Sequence, residues 1–367
     1  MEYTDRVYEL LDRAEELEYG QTRNGLLEDA VRLADEARDV ELGYEAREEL
    51  ITSLQFSGYP DRVLTHFVWC LARFDERPEK YDEFRLLWQY KWVVGSLADF
   101  PDVGREKIEQ ALEDFERRVR RAGFGLHPVF VSRWQVARAL GDNERARAER
   151  ERFLELTPNE LSNCRACDVN ANALYLAEQR DYEGALRAAE PILRGELQCA
   201  SVPHGTMAGL LYPLLRLGRH ADAEQYHRQG YRLIRGNYRN FLKRVGQHIL
   251  YLVLTDQRPR AVRIFERSVG GAVESRDYGQ QLEFCNAARI LWLHIQRVDT
   301  SRIKLRVPRD LPFFQESGDY EVAALIDWFD RATRDLAARY DRRNGNDWCS
   351  ARMNGKLALL DEASFDQ

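Results

Sequence analysis

This sequence has no long apolar run. Its strongest hydrophobic stretch, "ILYLVL" at residues 249–254, is far short of the ~20 residues that a membrane-spanning helix needs. No membrane association is expected. Proline is scarce, 11 of 367 residues, so little interrupts a helical chain. Also missing is any stretch of alternating apolar and polar residues long enough to argue for a sheet. The familiar catalytic signatures are absent too: no glycine-rich phosphate loop ending in Lys-Ser or Lys-Thr, no His-Glu-x-x-His, no nucleophile elbow. Seven histidines are spread thinly, and none sits in an obvious acid–base pairing. "GFGLHP" (residues 123–128) follows an arginine-rich helix end and reads as a C-cap and turn. A non-enzymatic protein is the expectation.

What is present suits a helical, packed chain. Apolar residues make up 44%, enough for a core, and charged residues 31%. A length of 367 residues exceeds one ordinary core, so two domains or an elongated repeat array is expected. A net charge of −7 argues against a surface built wholly for nucleic acid. The opening "MEYTDRVYELLDRAEELEYG" is acidic and amphipathic, unlike a secretory signal. A cytoplasmic location follows as an expectation, and there six cysteines read as buried thiols or metal ligands rather than a disulfide framework.

Alanines recur beside a polar turn, at Ala146, Ala185, Ala223 and Ala261, at intervals of 39, 38 and 38 residues. Twelve positions before each lie Trp134, Ala173, Leu211 and Ile249. Each unit therefore reads as helix, short turn, helix, with a small residue where two helices cross. Such a pair cannot bury its apolar face alone, so neighbouring units must stack.

Within this frame "YLAEQRDYEGALRAAEPIL" closely resembles a tetratricopeptide repeat of bacterial type. Tyr175, Ala185, Ala188 or Ala189, and Pro191 stand about where that family has its aromatic, small and terminal proline positions. The period here is longer than the family's ~34 residues. The resemblance implies an all-α fold, a right-handed superhelical solenoid of stacked antiparallel helix pairs. The expected organisation is divergent helical repeats over 1–127, repeats of this type over 128–276, capping helices over 277–345, and a partly disordered tail over 346–367. Apolar patterns predict helices over 22–39, 42–57, 60–74, 81–99, 101–122, 278–298 and 320–340, with Pro101 in a first turn and a loop between the last two.

One constellation carries candidate chemistry. Cys164-x2-Cys167 and Cys199-x4-His204 have the ligand types and the short spacings of a four-coordinate zinc site. Measured from Ala185 the first pair lies at −21 and −18; from Ala223 the second lies at −24 and −19. Both thus fall at the start of the first helix of adjacent repeats. A site closed by four protein ligands would be structural. Two other readings stand beside it: inert buried thiols, and a redox Cys-x-x-Cys. Cys70, Cys285 and Cys349 read as buried or adventitious.

The second constellation is a stretch without acid. From Gln225 to Thr255 there is no Asp or Glu, while Arg228, Arg232, Arg235, Arg239, Lys243 and Arg244 alternate with Tyr226, Tyr231, Tyr238 and Phe241. Arg228, Arg232 and Arg235 share one helix face. Their repulsion is offset either by acidic residues of a neighbouring repeat or by an acidic or phosphorylated ligand, which guanidinium forks suit. Arg117, Arg118, Arg120 and Arg121 close a helix and match its dipole. The expected function is a scaffold for a protein or peptide partner. The alternative is a regulatory sensor of a peptide or small ligand acting on transcription or nucleic acid.

Overall fold

A computed structural model describes residues 2–298 and 300–362. The chain divides into two compact units, Met1–Ser162 and Asn163–Gln367. The boundaries expected at 127/128 and 276/277 divide it by repeat regularity rather than compactness, and they stand as a proposed subdivision.

The first unit is a succession of helices: α1 (Tyr3–Glu15), α2 (Gln21–Glu36), α3 (Val40–Ser57), α4 (Pro60–Glu76), α5 (Glu83–Ser96), α6 (Arg105–Arg121), α7 (His127–Leu140) and α8 (Asn143–Glu155). Pro101 stands in the turn before α6, not in its first turn, because Gly104 caps that helix. A continuous core runs along the unit through Val7, Leu27, Leu50, Phe67, Leu86, Phe115 and Val136.

The second unit continues with α9 (Arg165–Glu178), α10 (Tyr182–Leu193), α11 (His204–Arg216), α12 (His220–Ile234), α13 (Leu242–Leu254), α14 (Arg258–Val273), α15 (Tyr278–Arg297), α16 (Val322–Asn344) and α17 (Trp348–Glu362). Sequential helices pack as pairs: α9 with α10, α11 with α12, α13 with α14, α15 with α16. First helices also pack on one another, α11 on α9 and α13, and α13 on α15. This is the all-α stacked-pair architecture that the 38-to-39-residue period predicts.

The register of the pairs comes from the recurring alanines. Ala146, Ala185, Ala223 and Ala261 are each the fourth residue of the second helix of a pair, and all are buried. Trp134, Ala173, Leu211 and Ile249, twelve positions earlier, are buried as well. A methyl at each crossing lets two helices approach closely. The turns inside the pairs share one closure. The residues after Gly141, Arg180, Gly218 and Asp256 donate their backbone N–H to carbonyls five residues back, Ala137, Leu176, Leu214 and Leu252. That closure needs a left-handed residue, and Gly141 supplies it at no steric cost (φ +75°). Asp142 and Asp181 then cap α8 and α10 by accepting the backbone N–H of Arg145 and Gly184.

Two features depart from expectation. In the segment expected as a loop and at the start of the helix expected over 320–340, β1 (Arg302–Lys304) pairs antiparallel with β2 (Asp319–Glu321), Ile303 opposite Tyr320, and α16 begins only at Val322. Three-residue strands are too short to leave an alternating pattern. α17 fills most of the segment expected as a tail, with Cys349 and Met353 buried among Leu336, Ala337 and Tyr340; residues 363–367 lie outside the described residues. Among the described residues no helix is long and apolar enough to cross a membrane.

Candidate functional sites

The cysteine constellation is partly assembled by the fold. Cys164 is the N-cap of α9, and its carbonyl accepts the backbone N–H of Cys167 and Asp168, at 2.9 and 3.2 Å. That first helical turn brings the two side chains to one face. Cys199 sits in a tight turn closed reciprocally with Val202, N–H to carbonyl at 3.1 and 3.2 Å. Ala166, Ile192 and Val202 form a small buried cluster, with Val169, Leu197 and Cys199 packed against it. The turn is thereby fixed beside the start of α9. The three sulfurs lie within 4.8 Å of one another, with Cys167 Sγ and Cys199 Sγ 3.2 Å apart. A cluster of this kind can hold a metal ion.

His204 does not join them. It is buried as the first residue of α11, its ring edge-on to Phe241 with 4.7 Å between centroids. Burial, with Arg244 adding, pushes its imidazole down to about 4. The repeat arithmetic places His204 at the right end of the right helix, but spacing does not fix the direction in which a side chain leaves that end.

Burial pushes the Cys167 thiol up, and neighbouring Cys199 and Cys164 push the same way. For Cys199 burial opposes ionisation, but the backbone N–H of Ser201 and hydrogen bonds with Cys167 and Cys164 outweigh it and hold the thiol low. Cys164 is exposed, Cys167 and Cys199 half-buried. Cys70, Cys285 and Cys349 are buried.

The basic stretch is largely neutralised from within. Arg228 Nε bonds Glu224 at 2.6 Å, and the same carboxylate takes Arg260 and the Tyr251 hydroxyl, each at 3.0 Å. Burial would raise the Glu224 carboxyl, but these donors hold it at about 2. Arg239 pairs with Glu274 at 2.9 Å. Tyr231 and Tyr238 share a hydroxyl–hydroxyl bond at 3.0 Å and pack on the core. What remains is Arg232 and Arg235, exposed at the end of α12, with no ion-pair partner among the described residues; Leu233 between them is 53% exposed. The arginines closing α6 are paired as well, Arg118 with Asp75 and Asp114, and Arg120 with Glu116.

Lys243 belongs to a different network. Glu283 of α15, 6% exposed, accepts ion pairs from Arg352 and Lys356 of α17. Burial would raise its carboxyl, but Arg352, Lys356 and Lys243 hold it well below the ordinary range. Lys243 in turn is lowered by burial to about 8, against the pull of Glu283. α17 is held further by Asn286 Nδ2 on the Met353 carbonyl and Arg289 on the Asn354 side chain. These partners lie 65 to 73 residues apart, and no local pattern announces them.

Neither a family model nor a curated protein matches this chain. Among solved structures the crystal structure of the P58(IPK) TPR domain is similar, at 14% identity over 98% of this chain and 99% of that chain, with a TM-score of 0.24. The fold assignment rests on the helix pairing and the 38-to-39-residue register of the chain itself.

Proposed function

We propose that this chain is a non-enzymatic helical-repeat scaffold in a reducing, cytoplasmic setting, and that the end of α12 receives an acidic or phosphorylated segment of a protein or peptide partner. The supporting observation is the contrast along one basic stretch. Arg228 and Arg239 are matched by Glu224 and Glu274, and Lys243 faces Glu283, whereas Arg232 and Arg235 are exposed and unmatched around exposed Leu233. Two guanidinium forks beside an apolar contact suit a carboxylate- or phosphate-bearing chain. Of the six cations in the stretch, the ligand-facing set narrows to these two arginines.

The test is titration of the full chain into fluorescein-labelled peptides of one sequence carrying phosphoserine, glutamate or lysine at the acidic positions, with a single-stranded oligonucleotide alongside. The phosphorylated and acidic peptides should bind, weakening with salt. Arg232→Glu with Arg235→Glu should weaken them at least about tenfold, which is 1.4 kcal/mol, with an unchanged helical circular dichroism signal. Equal binding by the variant would remove this reading. Binding of the oligonucleotide alone would favour the regulatory nucleic-acid alternative.

A further inference from the structure

We propose that Cys164, Cys167 and Cys199 hold a zinc ion through three thiolates, with the fourth coordination position taken by a ligand from outside the chain. This differs from a closed, four-ligand site in both its residues and its chemistry.

The geometry is the first support. Tetrahedral zinc with Zn–S near 2.3 Å separates its sulfurs by roughly 3.8 Å. The three sulfurs here already lie within 4.8 Å of one another, with one pair at 3.2 Å. Sub-ångström side-chain adjustments bring them equidistant from one ion. Their supports are also rigid. Two come from the first turn of α9, and the third from a turn doubly bonded between Cys199 and Val202 and backed by Ala166 and Ile192. Preorganised ligands lose little freedom on binding.

Ligand chemistry narrows the choice of ion. Three soft thiolates with no imidazole or carboxylate suit zinc or copper(I), while an iron–sulfur cluster draws on four cysteines. Six cysteines in a chain of 367 residues do not place three sulfurs together by packing needs alone, since Cys70, Cys285 and Cys349 show where packing puts them: singly, in apolar cores. Among the described residues no histidine, cysteine or carboxylate forms a fourth member of the cluster. Cys164 is exposed, so the sulfur triangle reaches solvent. On binding, the thiols release their protons to solvent and the ion takes one further ligand, water or a donor from another molecule.

The experiment uses the full chain purified under reductant. Elemental analysis should give about one zinc per chain. Competition with a chromogenic zinc chelator should show each of Cys164→Ser, Cys167→Ser and Cys199→Ser weakening zinc by at least about 100-fold, beyond the loss seen for outer-shell partners. His204→Ala should keep zinc at full affinity. Cobalt(II) in place of zinc should give sulfur-to-cobalt charge-transfer bands that shift when imidazole is added, as an open position requires. Because Cys164 is exposed, its variant keeps the fold, checked by circular dichroism, and carries the test if the other two do not. Metal-free protein that takes up no zinc overturns the proposal, and so does copper or iron in its place. Loss of zinc in His204→Ala, a cobalt spectrum indifferent to imidazole, or a Cys167–Cys199 disulfide as the resting state under reductant would do the same.

Discussion

The imidazoles of His227 and His248 meet nitrogen to nitrogen, 3.1 Å between their Nδ1 atoms, in the core between α12 and α13. One ring must donate and the other accept, so both cannot be protonated at once and the accepting ring is neutral. Tyr231 and Tyr251 flank the pair. His227 faces Arg260 and Arg228 as well as Glu224, and burial pushes it down to about 4. His248 faces His227 and Arg244 and is held well below its ordinary value, chiefly by burial.

Acidification should therefore unfold the second unit through these rings. Below pH ~6.5 the unfolded chain takes up protons that the folded chain refuses. Stability is full above that pH and falls as pH drops toward about 4, where His227 itself would titrate. For His227 alone the loss is roughly 3 kcal/mol across the window. Urea denaturation between pH 7.5 and 4.5 reads it. His227→Gln, which keeps a hydrogen-bonding partner for His248, should flatten the slope; an unchanged slope would contradict the assignment.

Glu48 of α3 predicts the opposite pH sign. Its carboxyl is 8% exposed, with Oε1 unpartnered and Oε2 3.6 Å from Arg85 Nε. Burial pushes it up to about 7, against Arg85. From pH ~4.5 upward the unfolded chain ionises this group first, so its cost to stability grows until about 7 and then stays. Glu48→Gln should stabilise the first unit by about 1–2 kcal/mol at pH 8 and by nothing near pH 4. Arg85 keeps its ion pair with Glu49 in that variant. Coincident unfolding curves at pH 8 would sink the prediction.

These groups mark what the sequence holds and what it conceals. The alanine register was legible because a small residue is required wherever two helices cross, and the requirement repeats with the period. Cys164 and Cys167 were legible because they share one helical turn, and Cys199, 32 residues beyond Cys167, because the repeat register sets it at the start of the adjacent repeat. The fate of His204 was not, since its ring packs on Phe241, the residue just before α13, 37 positions later in the chain. The matching of Arg239 by Glu274 needed three dimensions too, whereas Glu224 lies one helical turn before Arg228, a local pair just outside the acid-free stretch. The His227–His248 contact joins two helices at 21 residues' separation, which neither helix's own pattern records. α17 carries an Asn354-Gly355 pair that argues against a helix, and its docking through Glu283 overrides that local preference.

The Glu283 network should decide whether α17 stays docked. Glu283→Ala leaves Arg352, Lys356 and Lys243 together without their anion, and breaking a buried pair this way costs about 3–5 kcal/mol. The expected result is cleavage by trypsin after Arg343 at the end of α16, or after Arg352 or Lys356 within α17, at protease concentrations that leave the parent intact. Mass spectrometry identifies the fragment. A variant with the parent's cleavage pattern would show that apolar packing of Cys349 and Met353 suffices.

The shared turn inside each helix pair gives a reciprocal test. Arg180 and Gly218 occupy the same left-handed position one repeat apart, at φ +63° and +69°. Both are exposed at the turn, so the comparison isolates the backbone. A side chain there costs about 1–2 kcal/mol, and the greater freedom of glycine in the unfolded chain returns part of it. Arg180→Gly should stabilise the second unit by about 0.5–1 kcal/mol, and Gly218→Arg should destabilise it by a similar amount. Urea midpoints for the two single variants and the double variant measure this, with the double expected near the parent because the sites lie in separate turns. Shifts of the same sign in both single variants would mean that side-chain contacts, not the left-handed backbone, set the stability of these turns.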